Sequence, residues 1–139
     1  MARVLFTFCL LVFFSQTGRA QTFSASVKAE MAALDSVCKA CIDEGGTPLS
    51  ECEKVLHRKL DTLLNTVCRE LRVTLDSASF RKLQKEEPAW LKKREARQEA
   101  AQSRIGRSSA GVDADEAAAI RSDSYFVEQR IRELLRELK

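Results

Sequence analysis

The sequence predicts an all-α protein, a small antiparallel bundle of three long helices with a weaker N-terminal helix, stapled by a disulfide. Apolar residues recur at steps of three and four along three long segments, which is the periodicity of amphipathic helices. No segment shows the strict apolar and polar alternation of a half-buried strand. Four cysteines follow a predicted export signal, and exported chains commonly use cysteines in disulfides.

The first twenty residues predict a cleaved secretory signal peptide. Arg3 precedes an apolar run of eleven residues, 4–14, and the small residues Gly18 and Ala20 follow it. Eleven helical residues rise about 16 Å, which is too short for a hydrocarbon core of about 30 Å. We expect cleavage after Ala20, a mature chain without a membrane span, and a periplasmic or secreted location.

The charge pattern argues against nucleic acid as a partner. The full chain carries 23 basic and 20 acidic side chains. Loss of Arg3 and Arg19 with the signal peptide leaves 21 basic and 20 acidic side chains, a formal charge of +1. Charges of both signs are interleaved along the chain, which is typical of solvated helix surfaces.

Two helices are predicted in the first half of the mature chain. The first, within residues 24–42, is short, and the Gly and Pro residues of 45–48 end it. Ser50 is available to cap the second helix, which is predicted over residues 51–75. The apolar face of this second helix consists of Leu56, Leu60, Leu63, Val67, Leu71 and Leu75.

Two further helices are predicted in the second half. One covers residues 80–103, and Pro88 inside it predicts a kink or break at the preceding residue. Residues 104–113 are rich in Gly and Ser and predict a mobile loop. Asp113 or Asp115 can cap the last helix. Its apolar face consists of Ile120, Val127, Ile131, Leu134 and Leu138.

The cysteine spacing favours a bridge from Cys41 to Cys52 across the turn at residues 45–46. A zinc site lacks a second close pair of ligands, and a Cys-x-x-Cys redox pair lacks its strand-helix context. Cys52 and Cys68 lie about 24 Å apart if they share one helix. Because Cys38 is only three residues from Cys41, it does not easily reach Cys68 once Cys41 is paired with Cys52. Either the pairing differs, or Cys68 is a buried free thiol, or it links two chains.

No catalytic residue, cofactor or metal ligand set is predicted, and we expect the protein not to be an enzyme. His57, the only histidine, is expected on the surface because basic residues surround it and no triad partner has a suitable spacing. Paired acids such as Glu86 and Glu87 are adjacent in sequence and point in different directions on a helix.

One tryptophan and a set of polar residues predict how the helices pack. Trp90 is expected in the core, with the stem of Arg94 lying across its ring one helical turn later. Asp61 and Asn65 are four residues apart and share one helix face. A hydrogen bond from Arg94 to Asp61 is expected to fix the packing register.

The ordered set of Cys41, Cys52, Asp61, Asn65, Trp90, Arg94 and Arg130 resembles the LprI-like lysozyme-inhibitor family of secreted bacterial proteins. The matching segments read Cys41-x10-Cys52, Leu64-Asn65, Ala89-Trp90, Arg94-Glu95 and Glu133-Leu134. Cys68 stands where the family usually has tyrosine. The second cysteine pair of many members is absent, and Gln98 and Ser122 or Ser124 lie near its places. The implied organisation is a signal peptide (1–20), an N-terminal segment (21–40) and an LprI-like helical domain (41–139).

The resemblance implies a binding protein that blocks a cell-wall hydrolase by covering its surface. The implied partner is a protein of the lysozyme class, and acids near the turns are the candidate contacts with such a cationic enzyme. These acids are Asp43, Glu44, Asp113, Asp115 and Glu116. The alternative is a non-enzymatic envelope interaction or accessory module with an unrelated protein partner, because a fold does not fix a function.

Overall fold

Four α-helices make up the structure. The computed structural model describes the backbone of residues 2–138 and the side chains of residues 18–138. The helices are α1 (Ala2–Glu44), α2 (Leu49–Thr74), α3 (Ser77–Gln102) and α4 (Val112–Arg136), with no strand among the described residues. Helix α2 packs most extensively against α4 and also against α1, while α3 packs against α4. The predicted all-α bundle is confirmed.

The core lies between α2 and α4 and is built from the apolar faces that the sequence predicts. Helix α1 covers one side of this pair with Val27 and Met31, and α3 contributes Trp90. Burial of these faces, rather than isolated helix propensity, holds the bundle together. The buried apolar residues of α2 and α4 are Leu60, Leu63, Leu64, Val67, Leu71, Val127, Ile131, Leu134 and Leu135.

The N-terminal helix predicted within residues 24–42 is present, but it is part of the longer helix α1 (Ala2–Glu44). Its buried residues Ala20, Val27, Met31 and Cys38 follow steps of four and seven along one face. This buried face begins at Ala20, which is the last residue of the predicted signal peptide. That predicted peptide, 1–20, lies largely outside the residues whose side chains are described, and its cleavage stays a prediction. Among the described residues, no helix has the length and apolarity to cross a bilayer.

Helix α2 is capped from another helix, and the prediction of Ser50 as its cap is wrong. The residue before the helix is Pro48, which makes no side-chain cap. Ser50 is buried in the first turn and donates its hydroxyl to Asp113 Oδ1 at 2.6 Å. The same carboxylate accepts the backbone N–H groups of Leu49 (2.9 Å) and Ser50 (3.2 Å). Asp113, at the start of α4, therefore satisfies the free N–H groups that begin α2.

Helix α3 runs unbroken through Pro88, so of the predicted kink or break the break is absent and the kink stays a prediction. A proline removes one backbone hydrogen bond and crowds the preceding turn, which is a local cost. Asp76 caps the helix by accepting two backbone N–H groups at 2.9 Å each. Leu83 on one side of Pro88 and Trp90 on the other both pack against the core. The cap and this packing hold the helix on both sides of the proline.

The connection between α3 and α4 is fastened to α4 by Asp115. Helix α4 follows Gly111, whose φ of +95° suits glycine, and this residue makes no side-chain cap. Asp115 instead accepts the N–H groups of Gly106 (2.8 Å) and Ser108 (3.2 Å) and the Ser108 hydroxyl. The prediction that Asp113 or Asp115 caps α4 is therefore wrong, because each carboxylate is bonded to a different segment.

The predicted bridge between Cys41 and Cys52 is present and ties the end of α1 to the first turn of α2, with a Cα–Cα distance of 5.9 Å. Cys38 and Cys68 are free thiols. Cys38 is buried beside the bridge, with its Sγ 3.8 Å from the Cys52 carbonyl oxygen. Cys68 is partly buried, and desolvation raises its pKa. A different pairing within the chain is therefore wrong, and a link from Cys68 to a second chain stays a prediction.

Candidate functional site

A largely buried polar cluster joins α2, α3 and α4 through Arg94. Its Nη2 donates to Asp61 Oδ1 and to Asp123 Oδ2, both at 2.9 Å. Its Nε lies 3.2 Å from each oxygen of Asp123. Gln98 Nε2 donates to Asp123 Oδ2 at 2.8 Å. The expected Arg94–Asp61 hydrogen bond is present, and a second carboxylate that the sequence analysis did not identify shares the guanidinium.

Asp123 is the more deeply buried acid of this cluster, with 8% of its side chain exposed. Burial alone raises the pKa of its carboxyl, but hydrogen bonds from Arg94 and Gln98 outweigh that effect and hold the pKa below its ordinary value. Asp123 therefore stays charged in the folded protein and pairs with a charged guanidinium. Gln98 lies on α3 and Asp123 on α4, so their hydrogen bond also joins these two helices.

His57 belongs to the same cluster, and the prediction of a surface histidine is wrong. Its Nε2 lies 3.3 Å from Asp123 Oδ2 and 3.5 Å from Asp61 Oδ2. Its Nδ1 lies 3.3 Å from the Ser124 hydroxyl oxygen. His57 directly follows Leu56, so it stands at the edge of the apolar face that α2 turns toward α4. That adjacency is the sequence signal for its partial burial.

The grouping of Ser124, His57 and Asp123 has the residue types of a catalytic triad but not its setting. Ser124 is buried within α4, where the neighbouring N–H groups are bonded along the helix rather than free to stabilise an oxyanion. The Asp123 carboxylate is also engaged by Arg94. This geometry suits a packing network better than a nucleophile.

Trp90 lies in the core between aromatic and cationic neighbours, as predicted. The residue is 9% exposed, and its ring is parallel to that of Phe126, with 5.4 Å between centroids. The guanidinium carbons of Arg94 and Arg130 lie 5.7 and 5.8 Å from the Trp90 centroid. Arg130 is itself buried and donates to Glu87 Oε2 at 3.1 Å. The tryptophan thus anchors α3 on α4.

Asn65 does not join this cluster. It is exposed on α2, and the described hydrogen bonds of Arg94 go to His57, Asp61 and Asp123 instead. Asn65 lines a separate shallow cavity together with Cys68. No contact therefore supports the predicted role of Asn65 in fixing the packing register of the helices.

The five acids expected near the turns fall into two groups. Asp43 and Glu44 are exposed at the end of α1, two and three residues after the bridged Cys41. The other three carboxylates bond within the chain, and Glu116 lies 3.0 Å from Lys54 Nζ. Hydrogen bonds from the serine hydroxyls and backbone N–H groups that they accept lower the pKa of Asp113 and of Asp115. Only the first pair is left as an open acidic surface.

A groove of about 720 Å³ opens beside the bridge and is lined by α1, α2 and α4. Its α2 lining includes Glu53, which is fully buried. Arg121 of α4 donates from Nε to Glu53 Oε1 at 2.9 Å and from Nη2 to the same oxygen. Glu53 Oε2 has no hydrogen-bond partner among the described residues. The sequence signal for Glu53 is its position three residues before Leu56 on the apolar face.

Comparison with known proteins identifies a family. The family model described as lysozyme inhibitor LprI matches residues 38–134, well over half of the chain. No curated protein and no solved structure matches. The matched segment contains the disulfide, the Arg94 cluster, Trp90 and the Glu53–Arg121 pair. The chain belongs to the LprI lysozyme-inhibitor family.

Proposed function

We propose that this protein acts outside the cytoplasm, where it binds a lysozyme and inhibits it by covering the substrate cleft. The observation that carries this proposal is the family match over residues 38–134. An inhibitor of this kind needs a rigid complementary surface and no catalytic group. The alternative, an envelope module with an unrelated partner, predicts binding without any effect on cell-wall hydrolysis.

The structure supplies rigidity at the end of the bundle that holds the turn between α1 and α2. The Cys41–Cys52 bridge ties the two helices together there. Asp113 fastens the first turn of α2 to the start of α4. A surface that is already ordered loses less conformational entropy on binding, which leaves more of the contact energy as affinity.

Asp43 and Glu44 make this end the proposed contact surface for a basic enzyme. Both are exposed in the last turn of α1, next to the bridge. The C-terminal end of a helix carries a partial negative charge, which adds to the field of two carboxylates. A mature charge of +1 provides little long-range attraction, so complementarity has to come from such local patches.

The proposal is tested by lysozyme turnover of a cell-wall suspension with protein recovered from the envelope of an expressing host. We expect inhibition that saturates near one equivalent of protein, and a mature N-terminus at Gln21. The charge-reversed pair Asp43→Lys and Glu44→Lys should inhibit at least about tenfold less well, because like charges then face the enzyme. The matched control Glu95→Lys and Glu99→Lys, on the exposed surface of α3, should inhibit normally.

Equal turnover with and without a molar excess of the protein would contradict inhibition. A pull-down from envelope extract that returns another protein and no lysozyme would favour the alternative function. Recovery of Arg3 at the N-terminus of the envelope-located protein would contradict the predicted cleavage after Ala20.

A further inference from the structure

We propose that the end of the bundle opposite the disulfide docks on an anionic lipid bilayer and binds its phosphate head groups. This basic end consists of residues 21–28, 66–85 and 129–138. The inference goes beyond the proposed function, because it concerns a second partner and a surface other than Asp43 and Glu44. A bilayer bound here would leave those two acids facing away from the lipid, toward an incoming enzyme.

The directions of the helices bring these three segments together. Helices α2 and α4 start side by side, because Asp113 accepts the N–H of Leu49. Contacts from α1 to α2 and from α3 to α4 run in opposite chain order, so α1 and α3 point the other way. Arg19 in α1 accordingly lies 3.5 Å from Glu70 near the end of α2. The basic end therefore combines the final turns of α2 and α4 with early turns of α1 and α3.

Charge is separated along the length of the bundle. The basic end carries nine basic and four acidic side chains, whereas residues 29–65 and 86–128 carry 11 basic and 16 acidic ones. Two acids of the basic end are engaged within the fold. Asp76 accepts two N–H groups at the start of α3, and Glu133 lies 3.3 Å from Arg130 Nη1. A mature chain of charge +1 thus has a net positive end and a net negative remainder, which favours an anionic partner at the positive end.

A second groove, of about 680 Å³, lies between α1 and α4 at the basic end. The basic residues of its lining are Lys28, Arg132 and Arg136, and among the described residues no acid lines it. Arg132 Nε also donates to Glu128 at 3.1 Å, whereas Lys28 and Arg136 are exposed. Leu135 supplies apolar surface beside these cations. Cations around an apolar floor suit a lipid head group, whose phosphate is charged and whose acyl chains are apolar.

The turn between α2 and α3 adds an exposed apolar residue among cations. Val73 is 73% exposed, the highest value among the large apolar residues whose side chains are described. Arg72 precedes it, and Arg81 and Lys82 follow in the first turns of α3, all of them exposed. This combination is typical of surfaces that rest in the head-group region, where an apolar group enters the interface and basic groups stay at the phosphates.

The chain also brings the basic end close to a bilayer during the predicted export. Helix α1 is continuous from Ala2, and the apolar run 4–14 precedes Ala20, which lines the second groove. The six residues from Phe14 to Ala20 rise about 9 Å along a helix. A bilayer that holds the apolar run therefore lies near these cations before cleavage, and docking would keep the mature protein at that surface.

Co-sedimentation of the mature protein with phosphatidylglycerol vesicles and with phosphatidylcholine vesicles tests the docking. We expect at least about tenfold stronger binding to the anionic vesicles, and weaker binding as salt is raised, because salt screens the attraction. Lys28→Glu combined with Arg136→Glu should weaken that binding at least about tenfold, since each basic residue near the surface contributes about fivefold. The matched control, Arg58→Glu with Lys59→Glu, makes the same charge change about 22 Å before the end of α2. It should bind within about threefold of the wild type.

The results separate docking from inhibition. Equal binding to both kinds of vesicle, no binding to phosphatidylglycerol, or an equal loss in the control pair would overturn the docking surface. Binding to soluble polyphosphate without binding to the anionic vesicles would also overturn it, and would assign the basic end to a soluble polyanion. Circular dichroism of each variant checks the fold. Without lipid, the Lys28→Glu and Arg136→Glu variant should inhibit lysozyme as the wild type does, so failure of the docking leaves the proposed function standing.

Discussion

Replacing Trp90 by alanine is expected to lower the free energy of unfolding by about 4–5 kcal/mol. Truncation of a buried tryptophan costs about 3–5 kcal/mol through lost burial and the cavity left behind, and the Trp90 residue is only 9% exposed. Loss of the parallel contact with Phe126, worth about 1 kcal/mol, places the expected cost in the upper part of that range. The ring is also a neighbour of the buried guanidinium of Arg130. Against a typical total of about 5–15 kcal/mol, this change leaves a marginal domain.

Urea unfolding followed by far-ultraviolet circular dichroism measures this change without relying on tryptophan fluorescence. Leu91→Ala is the matched control, because it truncates the adjacent residue, which is 51% exposed. The control is expected to change the unfolding free energy by no more than about 0.5 kcal/mol. At roughly 4 °C per kcal/mol, Trp90→Ala should also lower the thermal midpoint by about 15–20 °C. A Trp90 variant no less stable than the Leu91 variant would refute the core role and reopen a role in recognition.

Three further predictions concern the bridge, the buried cluster and the cap. Replacing both Cys41 and Cys52 by serine should cost about 2–3 kcal/mol in urea unfolding and leave the helical circular dichroism intact, because the bridge closes a short loop. Asp123→Asn should cost about 2–3 kcal/mol, since Arg94 then keeps a weaker acceptor in a buried position. Asp113→Asn should lower the thermal midpoint at neutral pH. Because the folded-state pKa of Asp113 is lowered, its stabilisation is complete above about pH 4 and is lost as the pH falls through that lowered pKa.

Each of these has an outcome that contradicts it. Free Cys41 and Cys52 thiols in peptide maps of the exported protein would remove the basis of the bridge prediction. If Asp123→Asn lowers the free energy of unfolding no more than Asp35→Asn does, the buried cluster does not stabilise the fold, because Asp35 is an exposed acid. A midpoint difference between wild type and Asp113→Asn that is the same at acidic and neutral pH would mean that the charged carboxylate is not the cap.

The apolar core was predictable because its signal is local. The face of α2 from Leu60 to Leu71 repeats at helical spacing, and a helix buries the face on which such residues fall. The Cys41–Cys52 bridge was also predictable, since a short segment with Gly45 and Gly46 brings the two residues together. The Arg94–Asp61 contact required only that neighbouring helices pack with these residues facing each other.

Polar contacts between distant segments were not predictable in the same way. The carboxylate of Asp113 caps a helix that begins 64 residues earlier in the chain at Leu49. The Glu53–Arg121 pair spans 68 residues. Such partners depend on the final rotation and offset of two helices, which the apolar periodicity of each helix leaves open. Rules that consider only neighbouring residues therefore predicted that Asp113 caps α4, which begins beside it.

Pro88 and the length of α1 show a second reason why parts of the structure were not predicted from the sequence. A proline rule describes the cost to an isolated helix, whereas packing on both sides of Pro88 holds α3 together. In α1 the apolar residues before position 24 have two sequence interpretations, a signal peptide and a packing face. Buried Ala20 and Val27 show that the packing face reaches the predicted cleavage position.

Binding of the protein to lysozyme with and without a saturating chitooligosaccharide in the enzyme cleft is the most direct test of inhibition by occlusion. Isothermal titration calorimetry measures both affinities under one buffer condition. We expect binding near one-to-one stoichiometry with the empty enzyme and an affinity at least about tenfold lower when the cleft is filled, because both ligands need the same surface. Equal affinity in the two titrations, or no binding to the empty enzyme, would contradict the account.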